Sequence, residues 1–286
     1  MWRELLQDVT EIVQITEEER AIPQVALFTL TYRSEIHLVK ALLAIPEQKL
    51  QSQPKQPKAE GLLPALLYCR GGYKKVGRVQ PLRISQMAAF GYVIVAPHYR
   101  GNEGAPGKDE FGGAELEDVH QAYGLLANMP FVDRSRIHLY GFSRGAMMAL
   151  RASMIPNRFA SVVVWSGVSD MHLTYAERED LRPLLKNMMG DPDSAPEAYE
   201  SRSPVREVEK ITCPVLIIHG KIDQNVGVEH ANRLAKALVL HHKPHELWLV
   251  EDASHLFTAE QIGTYTKAMF QWLEGITLES SQQFYK

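Results

Sequence analysis

The sequence predicts a doubly wound α/β fold, and three observations carry that prediction. Short runs apolar on both faces read as strands of a buried parallel sheet: LLPALLYC (62–69), YVIVAPHY (92–99), RIHLYGF (136–142), FASVVVWSG (159–167), CPVLIIHG (213–220) and HELWLVED (245–252). Between and after them lie stretches of helical spacing at 79–90, 114–128, 144–155, 228–241 and 259–274. The alternation of the two calls for a mostly parallel central sheet with helices on both faces.

Taken in order, QVALFTLTYRSEIHLVKALLAI (24–45) reads as two strands around a short polar turn, an antiparallel edge of that sheet. EQKLQSQPKQPKAEG (47–61) is strongly polar and carries Pro and Lys, so it is expected as an exposed loop with solvated lysines. Residues 170–209, with YAERED, LLKNMMGDPDSAP and YESRSP, separate two strands by an unusual length. Such an insertion is either a functional cover or disordered, and its place after a strand end would hang it over the carboxyl edge, where open α/β sheets bind ligands. No repeat of 20 to 50 residues is visible.

The composition narrows the function. A chain of 286 residues with 45% hydrophobic content can bury one large core, and a net charge of −3 provides no one-signed field, so nucleic acid is not expected as a partner. The start, MWRELLQDVTEIVQITEEER, lacks the pattern of a secretory signal, and the apolar runs are strand-sized. The expectation is a cytoplasmic protein without membrane contact. Cys69 and Cys213 sit inside apolar runs and read as small buried hydrophobes, not as a disulfide or metal framework.

LYGFSRGAMMAL (139–150) holds the clearest chemical signal. Gly141-Phe142-Ser143-Arg144-Gly145 is a G-x-S-x-G, with a strand before it and a helix after it. A serine at a tight corner needs neighbours two positions away without side chains, and the corner then lifts its hydroxyl clear of the sheet. The first helical N–H groups point at whatever the hydroxyl attacks. Serine is a weak nucleophile without a base and an orienting acid. His255, in VEDASHLFT, follows the last strand and precedes the last helix, on a loop at the carboxyl edge; Asp223, in IIHGKIDQNV, follows the preceding strand on the same edge. Asp170 and, less so, Asp252 are alternatives for the acid. His219 reads as a packing residue or a backbone hydrogen bonder, and His241, His242 and His245 in HHKPH fall at the amino end of a strand, away from the site. His98 and His120 lack the strand-to-helix loop. A second oxyanion donor is expected after LLYC, from Gly72 or Tyr73, beside the N–H of Arg144. Trp165, Met171, Leu173 and Tyr175 are candidate walls of a substrate pocket, with core packing an equal alternative.

Three longer stretches extend the pattern: YRGNEGAPGKDEFGGAELEDV (99–119), VDRSRIHLYGFSRG (132–145) and SPVREVEKITCPVLIIHGKIDQNV (203–226). Together they resemble the catalytic domain of the prolyl oligopeptidase family of serine peptidases, within the α/β-hydrolase superfamily, over about residues 62–275. The resemblance implies an α/β-hydrolase fold, a triad of Ser143, Asp223 and His255 in nucleophile–acid–base order, and no metal or organic cofactor. The chain departs from the family pattern in having Arg70-Gly71-Gly72-Tyr73 for His-Gly-Gly-Pro, Gly227 for a proline, and Ala146 for a further glycine. The expected organisation is an arm, edge-strand hairpin and polar loop (1–61), a catalytic domain (62–275) with the 170–209 insertion, and a tail (276–286). About sixty residues before the core do not accommodate the family's propeller, so a broad hydrolase of small esters or short peptides is expected. A carboxylesterase is the alternative, and a non-catalytic ligand-binding protein of the same fold a more distant one.

Overall fold

The computed structural model describes residues 2–47 and 61–277; most of the polar loop expected at 47–61, its three lysines included, and residues 278–286 of the expected tail lie outside the described residues. The strands are β1 (Ile12–Glu17), β2 (Val25–Ser34), β3 (His37–Pro46), β4 (Leu63–Cys69), β5 (Val93–Pro97), β6 (Val132–Phe142), β7 (Ser161–Trp165), β8 (Val215–Gly220) and β9 (His245–Val250). They form one sheet in the order β1-β2-β3-β5-β4-β6-β7-β8-β9. From β5 to β9 every neighbour is parallel, and β1, β2 and β3 join antiparallel, with β3 running against β5. The order reverses around β4, which is where an open α/β sheet leaves a crevice at its carboxyl edge.

The helices cover both faces. On one, α3 (Leu116–Asn128), α4 (Arg144–Ala152) and α8 (Glu229–Leu240) bury Val119, Leu125, Met148, Leu150, Leu234 and Leu238 against the sheet. On the other, α2 (Pro81–Ala88) and α9 (Ala259–Glu274) bury Ile84, Met87, Met269, Phe270 and Leu273. A capping box at Thr258 and Gln261 starts α9 and so fixes where the preceding loop must end. The insertion folds as α5 (Met171–Glu177), α6 (Arg182–Met189) and α7 (Pro196–Glu200) with short 3₁₀ turns between and after them.

Two elements escaped the sequence reading. A short helix, α1 (Trp2–Gln7), seats Trp2 and Leu6 in the core, and β1 pairs outside β2, so the 24–45 hairpin is not the sheet's outermost edge. β1 is mostly exposed on both faces, which removes the alternation that would have revealed it. Cys69 and Cys213 are buried free thiols. Among the described residues no helix is long and apolar enough to cross a membrane, and no group of three His, Cys, Asp or Glu is placed to hold a metal.

Four histidines, His98, His138, His219 and His230, fold into the interior, and burial lowers each of them. Burial lowers His138, bonded through Nδ1 to Ser161 Oγ at 2.8 Å, to about 3, and lowers His98 and His230 to about 4, from an ordinary 6.5. Between about 6.5 and about 4 the unfolded chain therefore binds more protons than the folded one, and stability falls as pH falls. Urea midpoints are expected to decrease steadily from pH 7 to pH 4.5, and a flat profile over that interval would contradict the neutral, buried state of these rings.

Candidate active site

Ser143 sits between β6 and α4 at φ 55° and ψ −124°, a corner that a side chain adopts only under constraint. The constraint is visible: the Ser143 N–H donates to the Trp165 carbonyl at 3.0 Å, and its carbonyl accepts from Ala146 and Val168 N–H, each at 3.1 Å. A β-carbon at Gly141 would overlap the backbone of Gly145 and Ala146, and one at Gly145 would overlap the Cys69 carbonyl. The two glycines thus let β4, β6 and α4 meet at one point.

Asp223 lies on the loop after β8, with its side chain fully shielded. Its Oδ1 accepts the N–H groups of Asn225 and Val226, each at 2.9 Å, which orients the carboxylate. Its Oδ2 accepts from His255 Nδ1 at 2.8 Å. An ionised carboxylate only accepts, so the imidazole proton resides on Nδ1 and leaves Nε2 to accept from the Ser143 hydroxyl at 3.1 Å. His255 is 13% exposed and its ring leans on Phe142, 5.0 Å between centroids. The alcohol, imidazole and carboxylate are in hydrogen-bonded sequence, the arrangement a proton transfer from serine requires.

The alternatives for the acid sit elsewhere. Asp170 caps α5 by accepting from His172 and Leu173 N–H and meets Arg233, and Asp252 accepts from Gln261. His219 Nε2 donates to the Val226 carbonyl at 2.9 Å, bracing the loop that carries Asp223. The insertion reaches the same loop, through Arg178 to the Asn225 carbonyl and Glu177 to the Gly227 N–H.

Arg144 opens α4, so its N–H is one of the first-turn donors left without an intrahelical partner. Gly72, at φ 66°, turns the chain beside Val76, with Tyr73 next to it facing Phe111. The closest approach to the serine is by Gly71: a β-carbon there would stand 2.9 Å from Ser143 Cβ and 2.8 Å from the Phe142 carbonyl.

The candidate pocket walls do not come together. Trp165 packs with Tyr140 and Phe257 on the α2–α9 face, whereas Met171 is fully buried on the opposite face and Tyr175 stands edge-on to Tyr199 in the insertion. Leu173, also in α5, is half-buried. Successive residues of β7 point to alternate faces, and Trp165 faces away from α4.

Beneath the elbow lies a charge network the sequence reading missed. The Arg144 guanidinium, fully buried, bonds both oxygens of Asp109 at 2.7 and 3.2 Å and lies over the rings of Tyr99 and Phe111. Asp109 also accepts from Asn102 at 3.1 Å, and Arg70 donates to Asn102 at 2.8 Å. Burial pushes the Asp109 carboxyl up, but Arg144 outweighs it and holds the group below its ordinary value. Burial raises Glu115, whose carboxylate gathers the N–H groups of Glu110, Gly112 and Gly113.

Comparison with known proteins gives a consistent picture. Residues 78–278 match the model of the prolyl oligopeptidase family. The chain is 42% identical over 263 residues to the uncharacterized peptidase YtmA of Bacillus subtilis, covering 90% of this chain and 98% of that one. It is 27% identical to dipeptidyl-peptidase 5 of Porphyromonas gingivalis, covering 74% of this chain but only 33% of the relative. Among solved structures, a puromycin-hydrolyzing peptidase of Mycobacterium tuberculosis superposes with a TM-score of 0.73 at 24% identity, over 91% of this chain and 39% of that one. An acetyl xylan esterase from Paenibacillus sp. R4 superposes at 0.72 with 17% identity, over 96% and 93%. These structural likenesses speak to the α/β-hydrolase fold.

Proposed function

We propose, from the premise that this chain belongs to the prolyl oligopeptidase family, that it is a serine hydrolase cleaving amide or ester bonds in short peptides or small esters. The observation that carries the reading is the continuous hydrogen-bond line from Ser143 Oγ through His255 to Asp223. Ser143 Oγ attacks the substrate carbonyl as His255 Nε2 takes its proton. Asp223 holds the ring's tautomer and stabilises the imidazolium. The oxyanion is received by the N–H of Arg144 and by an N–H of the turn at Gly72 and Tyr73. His255 then protonates the leaving group, and water repeats the sequence on the acyl-enzyme. No step calls for a metal or organic cofactor.

Peptides fit the family, and the near-complete match in length to a relative named as a peptidase supports that choice. The esterase reading draws support from a solved esterase of the same fold and similar extent. Kinetics on short-chain nitrophenyl esters beside aminoacyl and prolyl anilides separate the two. Turnover of the anilides, with kcat/KM above about 10⁴ M⁻¹s⁻¹, is expected of a peptidase. Ester hydrolysis without any anilide or peptide cleavage would overturn the peptidase reading. We place the protein in the cytoplasm; fractionation of cells producing the tagged chain tests this.

A further inference from the structure

Beside the loop that carries His255, and walled in part by Leu256 and Phe257, which follow it, the structure holds a small cavity that the mechanism so far leaves unused. Its volume is about 150 Å³ and it is lined by Tyr68, Arg83, Tyr140, Phe142, Trp165, Leu256, Phe257 and Ile262. A cavity near that size admits one aromatic ring. Its walls are continuous with the reacting groups. Phe142 precedes Ser143 and leans on His255, Leu256 and Phe257 follow His255, and the Trp165 backbone accepts from Ser143 N–H. Leu256 is 71% exposed, an apolar side chain left in water at the mouth.

Arg83 is the one charged residue in this aromatic wall. It is half-buried, its Nη2 donates to Thr266 Oγ1 at 3.0 Å, and its guanidinium lies 5.9 Å from the Trp165 ring centre. Among the described residues no carboxylate pairs with it within 4.0 Å. By contrast, the fully buried arginines elsewhere in the fold each meet a carboxylate, Arg70 and Arg144 meeting Asp109 and Arg100 meeting Asp118. A guanidinium set among aromatic rings with donors to spare is a site for an anion, above all a planar carboxylate.

The side of the cavity decides which part of the substrate it takes. The group that departs must be next to His255 Nε2, because that nitrogen delivers its proton. We infer that this cavity is the leaving-group subsite, taking a ring-bearing or large apolar residue whose free carboxylate pairs with Arg83; this rests on the serine-hydrolase reading given above. In the step concerned, Ser143 Oγ forms a bond to the carbonyl carbon and the C–N bond breaks. The His255 proton passes to the nitrogen, and an amino acid or very short peptide with an intact carboxylate is released. Water then cleaves the acyl-enzyme.

The test uses the full chain and two acylated peptides that differ only at the C-terminus of an aromatic leaving residue, free carboxylate against carboxamide. The native protein is expected to favour the carboxylate by about tenfold or more in kcat/KM, and Arg83→Met to bring that ratio close to one by raising KM for the carboxylate alone. Arg83→Lys should retain an intermediate preference. Fluorophosphonate labelling of each variant shows that the serine is still reactive and the fold intact. No carboxylate preference in the native protein, an Arg83→Met loss equal for both peptides, or ester turnover with neither peptide cleaved overturns the subsite while leaving the hydrolase standing. Absence of labelling and of all turnover in the native protein overturns the hydrolase reading itself.

Discussion

Alanine at position 143 is expected to lower kcat by about 10⁴- to 10⁶-fold and to abolish covalent labelling by a fluorophosphonate. The Oγ is the atom in the His255–Asp223 line placed to form a bond to substrate carbon, and among the described residues no other hydroxyl bonds His255 Nε2. The corner itself should survive, because Gly141, Gly145 and the bonds from Ser143 N–H and to its carbonyl are backbone features. Binding should therefore change little, and the loss should fall on kcat with KM nearly intact. What remains above the uncatalysed rate measures the oxyanion donors and substrate positioning alone. Undiminished labelling of Ser143→Ala would refute the assignment of the nucleophile.

Asp109→Ala is expected to destabilise the protein by about 3–5 kcal/mol, the effect of removing one partner from a buried ion pair. Arg144 would lose both of its close carboxylate contacts, and Asn102 and Phe111 N–H would each lose an acceptor. Glu115 is nearby but its oxygens are engaged by three backbone N–H groups, so it offers Arg144 little replacement. For a chain of this size the melting temperature should fall by on the order of 10 °C. Because Arg144 is the first residue of α4, the rate of probe labelling should fall as well, even below the melting range. A loss under about 1 kcal/mol in urea denaturation would show that the network carries little net energy.

The sheet was largely legible in the sequence, because strands buried on both faces announce themselves as unbroken apolar runs. The same property hid the side on which each residue lies. FASVVVWSG is apolar at nearly every position, so no alternation distinguishes Val164, facing α4, from Trp165, facing α9. The elbow was readable because its steric demand falls on two glycines at fixed spacing, and the loop of His255 because it joins a strand to a helix. Asp223 and Asp170 were harder to rank, since both follow strands at the same edge. A sharper signal was present: Asp170 stands directly before a helical run, the place of an N-cap. The Arg144–Asp109 pair left no trace in local pattern, its members being 35 residues apart. Arg83 was invisible for a related reason: its meaning comes from rings on four other segments.

The separation of 112 positions from Ser143 to His255 has a consequence for the growing polypeptide. Synthesis from the amino end presents the hydroxyl at its corner well before β8 and β9 can dock, and so before any imidazole can draw off its proton. A nascent or carboxyl-truncated chain thus carries a disarmed alcohol. On the proposed triad, reactivity is switched on only when the last parallel strand zips into place, so a ribosome-bound intermediate is expected not to attack the neighbouring amides of its own unfolded length.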